Sequence, residues 1–146
     1  MAKFPHIAVI ADEVYFHLPF SGHKMISFAT MNDENWCKTI SVYSFGKMLN
    51  CTGWKLGFGI GPQNLIKQAL LAHEASVFCV NVPGQIAISR VLDEMWTEPF
   101  GGCSNYFEWT SKQFEQAYTS CLQLLEKSTG VKFKATKVES GYFIVA

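Results

Sequence analysis

Two short runs typical of β-strands, each followed by polar residues, constrain the fold of this chain most strongly. Ile7–Ala11 is a continuous apolar run of strand length that ends at Asp12, a pattern typical of a strand covered on both faces. Thr39–Tyr43 is a second β-rich run, and it ends at Ser44. Helical patterns dominate the rest of the chain. Strands first and helices afterwards predict an α/β sheet that leads into a second subdomain.

The remaining elements follow from apolar spacing and from glycine and proline. Leu56–Pro62 alternates apolar residues with glycine and predicts a third strand, whereas residues 20–38 are predicted to be mainly loop. Apolar residues spaced by three and four predict helices at about 65–73, 86–96 and 104–128. Gln63 and Asn64 are suited to cap the first of these helices. Alternation predicts strands at 131–135 and 141–146.

Charge and composition exclude several classes of protein. Twelve Lys and Arg residues balance twelve Asp and Glu residues, so the chain has no net field to attract nucleic acid or an anionic membrane. No apolar run approaches the roughly 20 residues of a membrane-spanning helix. The histidines and cysteines show no zinc-ligand spacing. Five scattered cysteines and no visible targeting signal favour buried free thiols in a reducing compartment, the cytoplasm or the mitochondrial matrix.

A glycine pair precedes the longest predicted helix. Gly101 and Gly102 predict a flexible joint at this point of the chain. Aromatic residues crowd around the joint, and a protein core is the favoured explanation for them, with a partner surface as the alternative. This aromatic cluster consists of Trp96, Phe100, Tyr106, Phe107 and Trp109.

Side chains that can bind a cofactor follow the first two predicted strands. They are Asp12, Tyr15, Ser44 and Lys47, with Lys55 close by in the sequence. Because ligands bind outside the carboxyl ends of strands in α/β sheets, we expect these side chains to converge. A partly desolvated lysine amine attacks aldehydes, and pyridoxal phosphate is the obvious aldehyde cofactor. An aspartate suits its ring nitrogen, a tyrosine its phenolic oxygen, and a serine with a second lysine its phosphate.

Each of these residues also has a simpler explanation on its own. An aspartate at a strand end is usually a cap, and a lone lysine is usually a solvated charge. Taken singly, each of the five residues favours the simpler explanation, and the hypothesis of a common site rests on the ordered set. The glycines of Gly57-x-Gly59-x-Gly61 lie within a predicted strand and lack the step into a helix that a nucleotide loop requires, so they do not indicate nucleotide binding.

Three ordered motifs contain these residues. They are Asp12-Glu13-Val14-Tyr15, Ser44-Phe45-Gly46-Lys47 and Thr52-Gly53-Trp54-Lys55-Leu56-Gly57. Together the motifs resemble the central part of the class I/II aminotransferases of fold type I. The chain is most similar to the kynurenine/glutamine transaminase and cysteine-conjugate β-lyase branch, although Met48–Cys51 departs from that branch. The likeness extends over essentially all 146 residues.

The resemblance implies the same role for each residue at a pyridoxal 5′-phosphate site. Asp12 would bind the pyridine nitrogen, Tyr15 the phenolic oxygen, and Lys47 would form the Schiff base. Ser44 and Lys55 would bind the phosphate. The implied reaction transfers an amino group from an amino acid to a 2-oxo acid.

The resemblance also implies how the chain is organised. Residues 1–103 would form part of a large, three-layer α/β/α cofactor-binding domain, 104–130 a long connecting helix, and 131–146 the start of a small domain. Family members are roughly two to three times as long, so the chain looks like a central segment. Phe78 would reach a neighbouring subunit's active site in a homodimer or larger assembly. A catalytically inactive, aminotransferase-derived structural subunit is the alternative.

Overall fold

The chain forms two compact units. The computed structural model describes residue 4, residues 6–127 and residues 134–145. One unit combines the residues up to Phe16 with Ile26–Arg90, and the other combines His17–Met25 with the chain from Val91 onward. Each unit has its own apolar core. The buried apolar side chains are Ala29, Met48, Leu56 and Ile88 in the first unit, and Leu18, Phe20 and Phe107 in the second.

A three-stranded mixed sheet organises the first unit. Its strands are β1 (Val9–Asp12), β2 (Thr39–Ser44) and β3 (Gly57–Ile60), in the order β1-β2-β3. β1 pairs with β2 in parallel, with Val9 opposite Thr39. β3 pairs with β2 in the antiparallel direction. The three predicted strands and the α/β class are therefore confirmed, while the reversed direction of β3 was not predicted.

The prediction that β1 is covered on both faces is wrong. Burial alternates along the strand, and Ile10 exposes 74% of its surface. The covered face is the one that carries Ala11, because Ala11 pairs with Ser41 and the Ser41 hydroxyl lies 3.3 Å from that of Ser27. Successive side chains of a strand point to opposite faces, so Ile10 faces away from this contact.

A helix that the sequence did not predict lies between the first two strands. Residues Asp33–Lys38 form α1, and the side chain of Asn32 caps it by accepting a hydrogen bond of 2.9 Å from the Asn35 amide. The Thr39 hydroxyl donates to the Asn35 carbonyl at 2.6 Å and joins the helix to β2. A six-residue helix is too short to display an apolar period, so only its cap could have predicted it.

Four more helices follow. They are α2 (Phe45–Met48), α3 (Gln63–Ser76), α4 (Val82–Thr97) and α5 (Tyr106–Lys127). The three predicted helices correspond to α3, α4 and α5. Pro62 occupies the N-cap of α3 without a side-chain hydrogen bond, so the predicted capping by Gln63 and Asn64 is wrong. None of the helices in the part of the chain that the structure describes combines the length and the hydropathy of a bilayer-spanning segment.

The two predicted C-terminal strands have different outcomes. In the first, residues 131–133 lie outside the described residues. In the second, residues 141–145 form no strand, although the Thr136 amide donates to the Val145 carbonyl at 2.8 Å and Ser140 forms an isolated bridge with Pro19. A strand requires a ladder of several paired residues, and single bridges do not provide one.

The cysteines are unpaired but not buried. Cys37, Cys79 and Cys121 are exposed, and Cys51 and Cys103 are half-buried. The prediction of buried thiols is therefore wrong. In the described part of the chain, no three His, Cys, Asp or Glu side chains are grouped so that they could hold a metal ion.

The predicted flexible joint is a closed turn. Phe100 and Cys103 exchange two backbone hydrogen bonds, of 3.2 and 2.9 Å. Gly101 and Gly102 have positive φ angles of 57° and 78°, a conformation that favours glycine. A Cβ atom at Gly101 would collide with the ring of Trp109, whereas one at Gly102 would meet nothing within 4 Å.

The aromatic cluster beside this turn forms part of the core of the second unit. The rings of Trp96 and Phe107 lie 4.3 Å apart between centroids, and those of Phe100 and Trp109 lie 5.0 Å apart. Phe107 is buried, while Trp96 and Phe100 each expose 46% of their surface. The core explanation therefore applies to the centre of the cluster.

This turn provides a matched test of backbone conformation against packing. We expect Gly102→Ala to destabilise the protein by about 1–2 kcal/mol, because only the left-handed backbone penalises the new methyl group. Gly101→Ala incurs the same penalty and also displaces Trp109, which adds about 1–3 kcal/mol. Urea denaturation of both variants measures the difference. Equal destabilisation would show that the Trp109 ring moves aside without cost.

Candidate functional site

The parallel pairing of β1 and β2 brings their carboxyl ends to one edge of the sheet. Asp12 ends β1 and lies opposite Val42, and Ser44 ends β2 two residues further on. Because side chains alternate along a strand, Asp12 and Ser44 share one face of the sheet. Two of the predicted cofactor-binding side chains therefore extend from the same face at the same edge.

Lys47 lies in α2, which begins directly after β2. Its side chain is half-buried, and its Nζ lies 6.0 Å from the centroid of the Tyr15 ring. Tyr15 belongs to a turn that the Phe16 amide closes by donating to the Glu13 carbonyl at 3.0 Å. An amine at this distance from an aromatic ring is within range of a cation–π attraction. The structure thus brings together the predicted catalytic amine and the predicted phenol.

The segment from Ser44 to Gly57 folds back on itself. The Phe45 amide donates to the Leu56 carbonyl at 3.1 Å, and the Thr52 hydroxyl donates to the Gly46 carbonyl at 3.1 Å. A Cβ atom at Gly46 would lie only 2.8 Å from the Thr52 Cα, so glycine is required there. The second and third motifs consequently meet in space.

Lys55 adopts an unusual backbone conformation in this segment. It caps the short 3-10 helix Thr52–Trp54 with φ 56° and ψ 39°, in the left-handed region. Residues other than glycine are uncommon there, and such strain is concentrated at functional sites. Its side chain is exposed, and its predicted contact with a phosphate stays a prediction.

Phe78 also has a left-handed conformation, with φ 69°. It follows α3, where its amide donates to the His73 carbonyl at 3.2 Å. Its side chain is 79% exposed, and the neighbouring Val77 and Val82 expose more than half of their surface. The backbone therefore turns this aromatic ring outward, and its predicted reach into a second subunit stays a prediction.

Glu13 is a residue of the site region that the sequence reasoning missed. Its two carboxylate oxygens accept hydrogen bonds from the Phe28 amide at 2.8 Å and from the Tyr43 hydroxyl at 2.6 Å. Its own amide donates to the Val42 carbonyl at 3.0 Å, and its carbonyl closes the turn that contains Tyr15. Asp12 and Glu13 are adjacent, so their side chains leave opposite faces of the sheet. This alternation was the only feature of the sequence that indicated a role for Glu13 different from that of Asp12.

Tyr43 connects Glu13 to an aromatic row. Burial, followed by the hydrogen bond to Glu13, raises the pKa of the Tyr43 phenol above its ordinary value of 10.0. The Tyr43 ring meets Phe16 edge-on at 6.0 Å and stacks on Phe58 at 5.0 Å, and Phe58 lies 4.9 Å from Phe45. The row therefore runs from the turn that contains Tyr15 to the first residue of the helix that contains Lys47.

The donor set of this edge fits pyridoxal phosphate chemically. An aspartate, a phenol and an amine suit the pyridine nitrogen, the phenolic oxygen and the aldehyde of that molecule. A serine hydroxyl and a second lysine suit its phosphate. The structure shows one of these approaches directly, because the Lys47 amine, in the helix that follows Ser44, lies 6.0 Å from the centroid of the Tyr15 ring.

Comparisons of sequence agree with this chemistry. A family model described as "Aminotransferase class I and II" matches residues 1–146. Kynurenine–oxoglutarate transaminase 1 of Rattus norvegicus is 31% identical over 140 residues, which are 96% of this chain and 32% of that protein. Kynurenine–oxoglutarate transaminase 3 of Homo sapiens is 34% identical over 139 residues, 94% of this chain and 29% of that protein. The chain thus spans about a third of the length of these curated relatives.

Solved structures give the same result for the fold. YbdL from Escherichia coli, identified as having a methionine aminotransferase function, superposes with a TM-score of 0.79 at 26% identity over 94% of this chain and 33% of its own. LysN, an alpha-aminoadipate aminotransferase from Thermus thermophilus solved with N-(5′-phosphopyridoxyl)-L-leucine, gives a TM-score of 0.83 at 18% identity. That match covers 99% of this chain and 35% of LysN, and it supports the fold alone.

The contribution of Tyr43 to the stability of the fold is expected to depend on pH in the alkaline range. A raised pKa favours protonated Tyr43 in the folded state, so its contribution to stability is complete below pH 10.0 and is lost as the pH rises through the raised pKa. We expect the difference in Tm between the wild type and Tyr43→Phe to shrink as the pH rises above about 10, through the raised pKa of Tyr43. A constant difference over that range would show that the phenol titrates normally.

Proposed function

Because the chain belongs to the class I and II aminotransferase family, we propose that it contributes the cofactor-binding edge of a pyridoxal-phosphate transaminase. The reaction passes an amino group from an amino acid to a 2-oxo acid. The observation that carries the proposal is the approach of the Lys47 Nζ to the Tyr15 ring, 6.0 Å from its centroid, beside the carboxyl ends of two parallel strands.

Five residues would hold the cofactor, and they are Asp12, Tyr15, Ser44, Lys47 and Lys55. When bound, the cofactor withdraws electrons from the α-carbon of the amino acid. The Asp12 carboxylate keeps the ring nitrogen protonated, and the Tyr15 phenol donates to the phenolic oxygen. The Ser44 hydroxyl and the Lys55 amine bind the phosphate.

Lys47 has the catalytic role in this proposal. Its Nζ takes the proton from the α-carbon of the substrate and returns it later in the reaction, as a general base and then a general acid. Its position in the first turn after β2 keeps the amine at the sheet edge. The Lys47 side chain is half-buried, with its amine near the Tyr15 ring.

The names of similar proteins indicate which substrates to test first. Two curated relatives are kynurenine–oxoglutarate transaminases, which makes kynurenine with 2-oxoglutarate the first pair. A homodimer is part of the proposal, since Phe78, Val77 and Val82 present an exposed apolar surface. The free thiols support a reducing compartment, the cytoplasm or mitochondrial matrix. An inactive structural subunit has no specific observation in its favour.

Chemical trapping tests the role of Lys47. After incubation with pyridoxal phosphate and reduction with borohydride, we expect the label on the peptide that contains Lys47, because the residues proposed to bind the cofactor place its aldehyde beside this amine. Peptide mass spectrometry identifies the labelled lysine. Lys38→Ala is the control, since Lys38 pairs with Glu34 at 3.0 Å in α1, and it should keep the label. Equal labelling of surface lysines in the wild type and in Lys47→Ala would contradict the proposal.

Two substitutions at Lys55 separate phosphate binding from backbone strain. Lys55→Ala and Lys55→Gly both remove the amine, so we expect both to raise the Kd for pyridoxal phosphate about 10-fold. Glycine relieves the left-handed strain and alanine does not, so Lys55→Gly should be about 1 kcal/mol more stable than Lys55→Ala. Fluorescence titration and urea denaturation measure the two effects. An unchanged Kd in both variants would exclude a phosphate contact.

A further inference from the structure

We propose that Glu13 and Tyr43 are positioning residues that orient Tyr15 and Lys47 towards the cofactor while touching neither cofactor nor substrate. The inference rests on the proposed function and assigns a role to two residues that the function itself does not use. Their carboxylate–hydroxyl hydrogen bond, at 2.6 Å, is a charge-assisted contact. It lies at the same sheet edge as the predicted cofactor residues, on the opposite face from Asp12.

Glu13 fixes the backbone position from which the Tyr15 side chain extends. Its amide extends the β1–β2 ladder by one bond to Val42, and its carbonyl accepts from the Phe16 amide across the turn. The carboxylate binds Phe28 and Tyr43 at 2.8 and 2.6 Å. The backbone and side chain of one residue are thus held at four points. The tyrosine two positions later therefore starts from a fixed backbone.

Tyr43 transmits this restraint towards Lys47. Its hydroxyl donates to Glu13, while its ring meets Phe16 edge-on and stacks on Phe58. Phe58 in turn contacts Phe45, the first residue of α2. Because aromatic rings pack in defined geometries, displacing one ring of the row changes the positions that the other rings can occupy. The row joins the two segments that carry the phenol and the amine.

The restraint differs from simple stabilisation of the sheet. β1 and β2 are already paired at four positions by their own backbone. The hydrogen bond between Glu13 and Tyr43 instead joins the ends of those strands, where the predicted site residues leave the sheet. Loosening it should therefore change the contact of Tyr15 with the cofactor before it unpairs the strands.

A spectroscopic measurement separates these two effects. A donor to the phenolic oxygen of bound pyridoxal phosphate favours the oxygen's anionic form, so a weaker contact from Tyr15 raises the pH midpoint of the visible absorption band. We expect Tyr43→Phe and Glu13→Ala to raise that midpoint by about 0.5–1 pH unit. Glu13→Gln keeps an acceptor for the Phe28 amide and places an amide group opposite the Tyr43 oxygen. Its midpoint should therefore lie closer to that of the wild type than the midpoint of Glu13→Ala does.

Gly102→Ala is the matched control. It lies in the other unit and has a glycine-specific backbone with open space around it, so it lowers stability without touching the row. Its midpoint should equal that of the wild type. Tyr43→Phe removes one oxygen and keeps the ring, so it carries the test if Glu13→Ala does not fold.

The outcomes distinguish this inference from the proposed function. A visible band in the wild type, with an unchanged midpoint in Tyr43→Phe, would overturn the positioning role and leave the proposed function intact. The absence of any band in the wild type would overturn both. A shift in Gly102→Ala equal to that of Tyr43→Phe would show that the effect follows stability, which also overturns the positioning role.

Discussion

The parallel pairing of β1 with β2 is the constraint on which the rest of the first unit depends. It brings the carboxyl ends of both strands to one edge of the sheet. Asp12 and Ser44, about thirty positions apart in the sequence, therefore lie on the same face. Glu13, the residue after β1, adds one more backbone hydrogen bond to this pairing through its amide. Its carboxylate accepts a hydrogen bond from Tyr43 of β2. Without that alignment, Asp12 and Ser44 would have no common face. The site therefore begins with a backbone register.

The two faces at this edge have different chemistry. Asp12 and Ser44 leave one face, where a charged or phosphorylated ligand can meet a carboxylate and a hydroxyl. Glu13 and Tyr43 meet on the other, where the carboxylate finds a donor at each oxygen. Half-buried charges are tolerated when they are hydrogen-bonded in this way. Adjacent residues of one motif can thus serve binding and support because a strand alternates its side chains.

Glycine determines how closely the second and third motifs approach. At Gly46 the neighbouring chain comes so near that a methyl group would contact the Thr52 Cα at 2.8 Å, and at Gly57 it would contact the Tyr43 carbonyl at 2.6 Å. Lys55 shows the converse case, since it keeps a side chain in a conformation that glycine would accept at lower cost. The two glycines and the left-handed lysine together determine the backbone path of this segment.

Local spacing alone predicted the three long helices, the three strands of the sheet and the α/β class. It also predicted which polar residues follow the ends of the first two strands. These features depend on neighbours within a few positions, which a sequence displays directly. The tertiary structure decided the rest: the reversed direction of β3, the exposed face of Ile10, the left-handed Lys55, and the contact of Glu13 with Tyr43. Glu13 and Tyr43 are separated by thirty positions, and a hydrogen bond over that distance forms only after the strands have paired. No local pattern encodes which of two adjacent carboxylates will face inward, because the packing of more distant segments makes that choice.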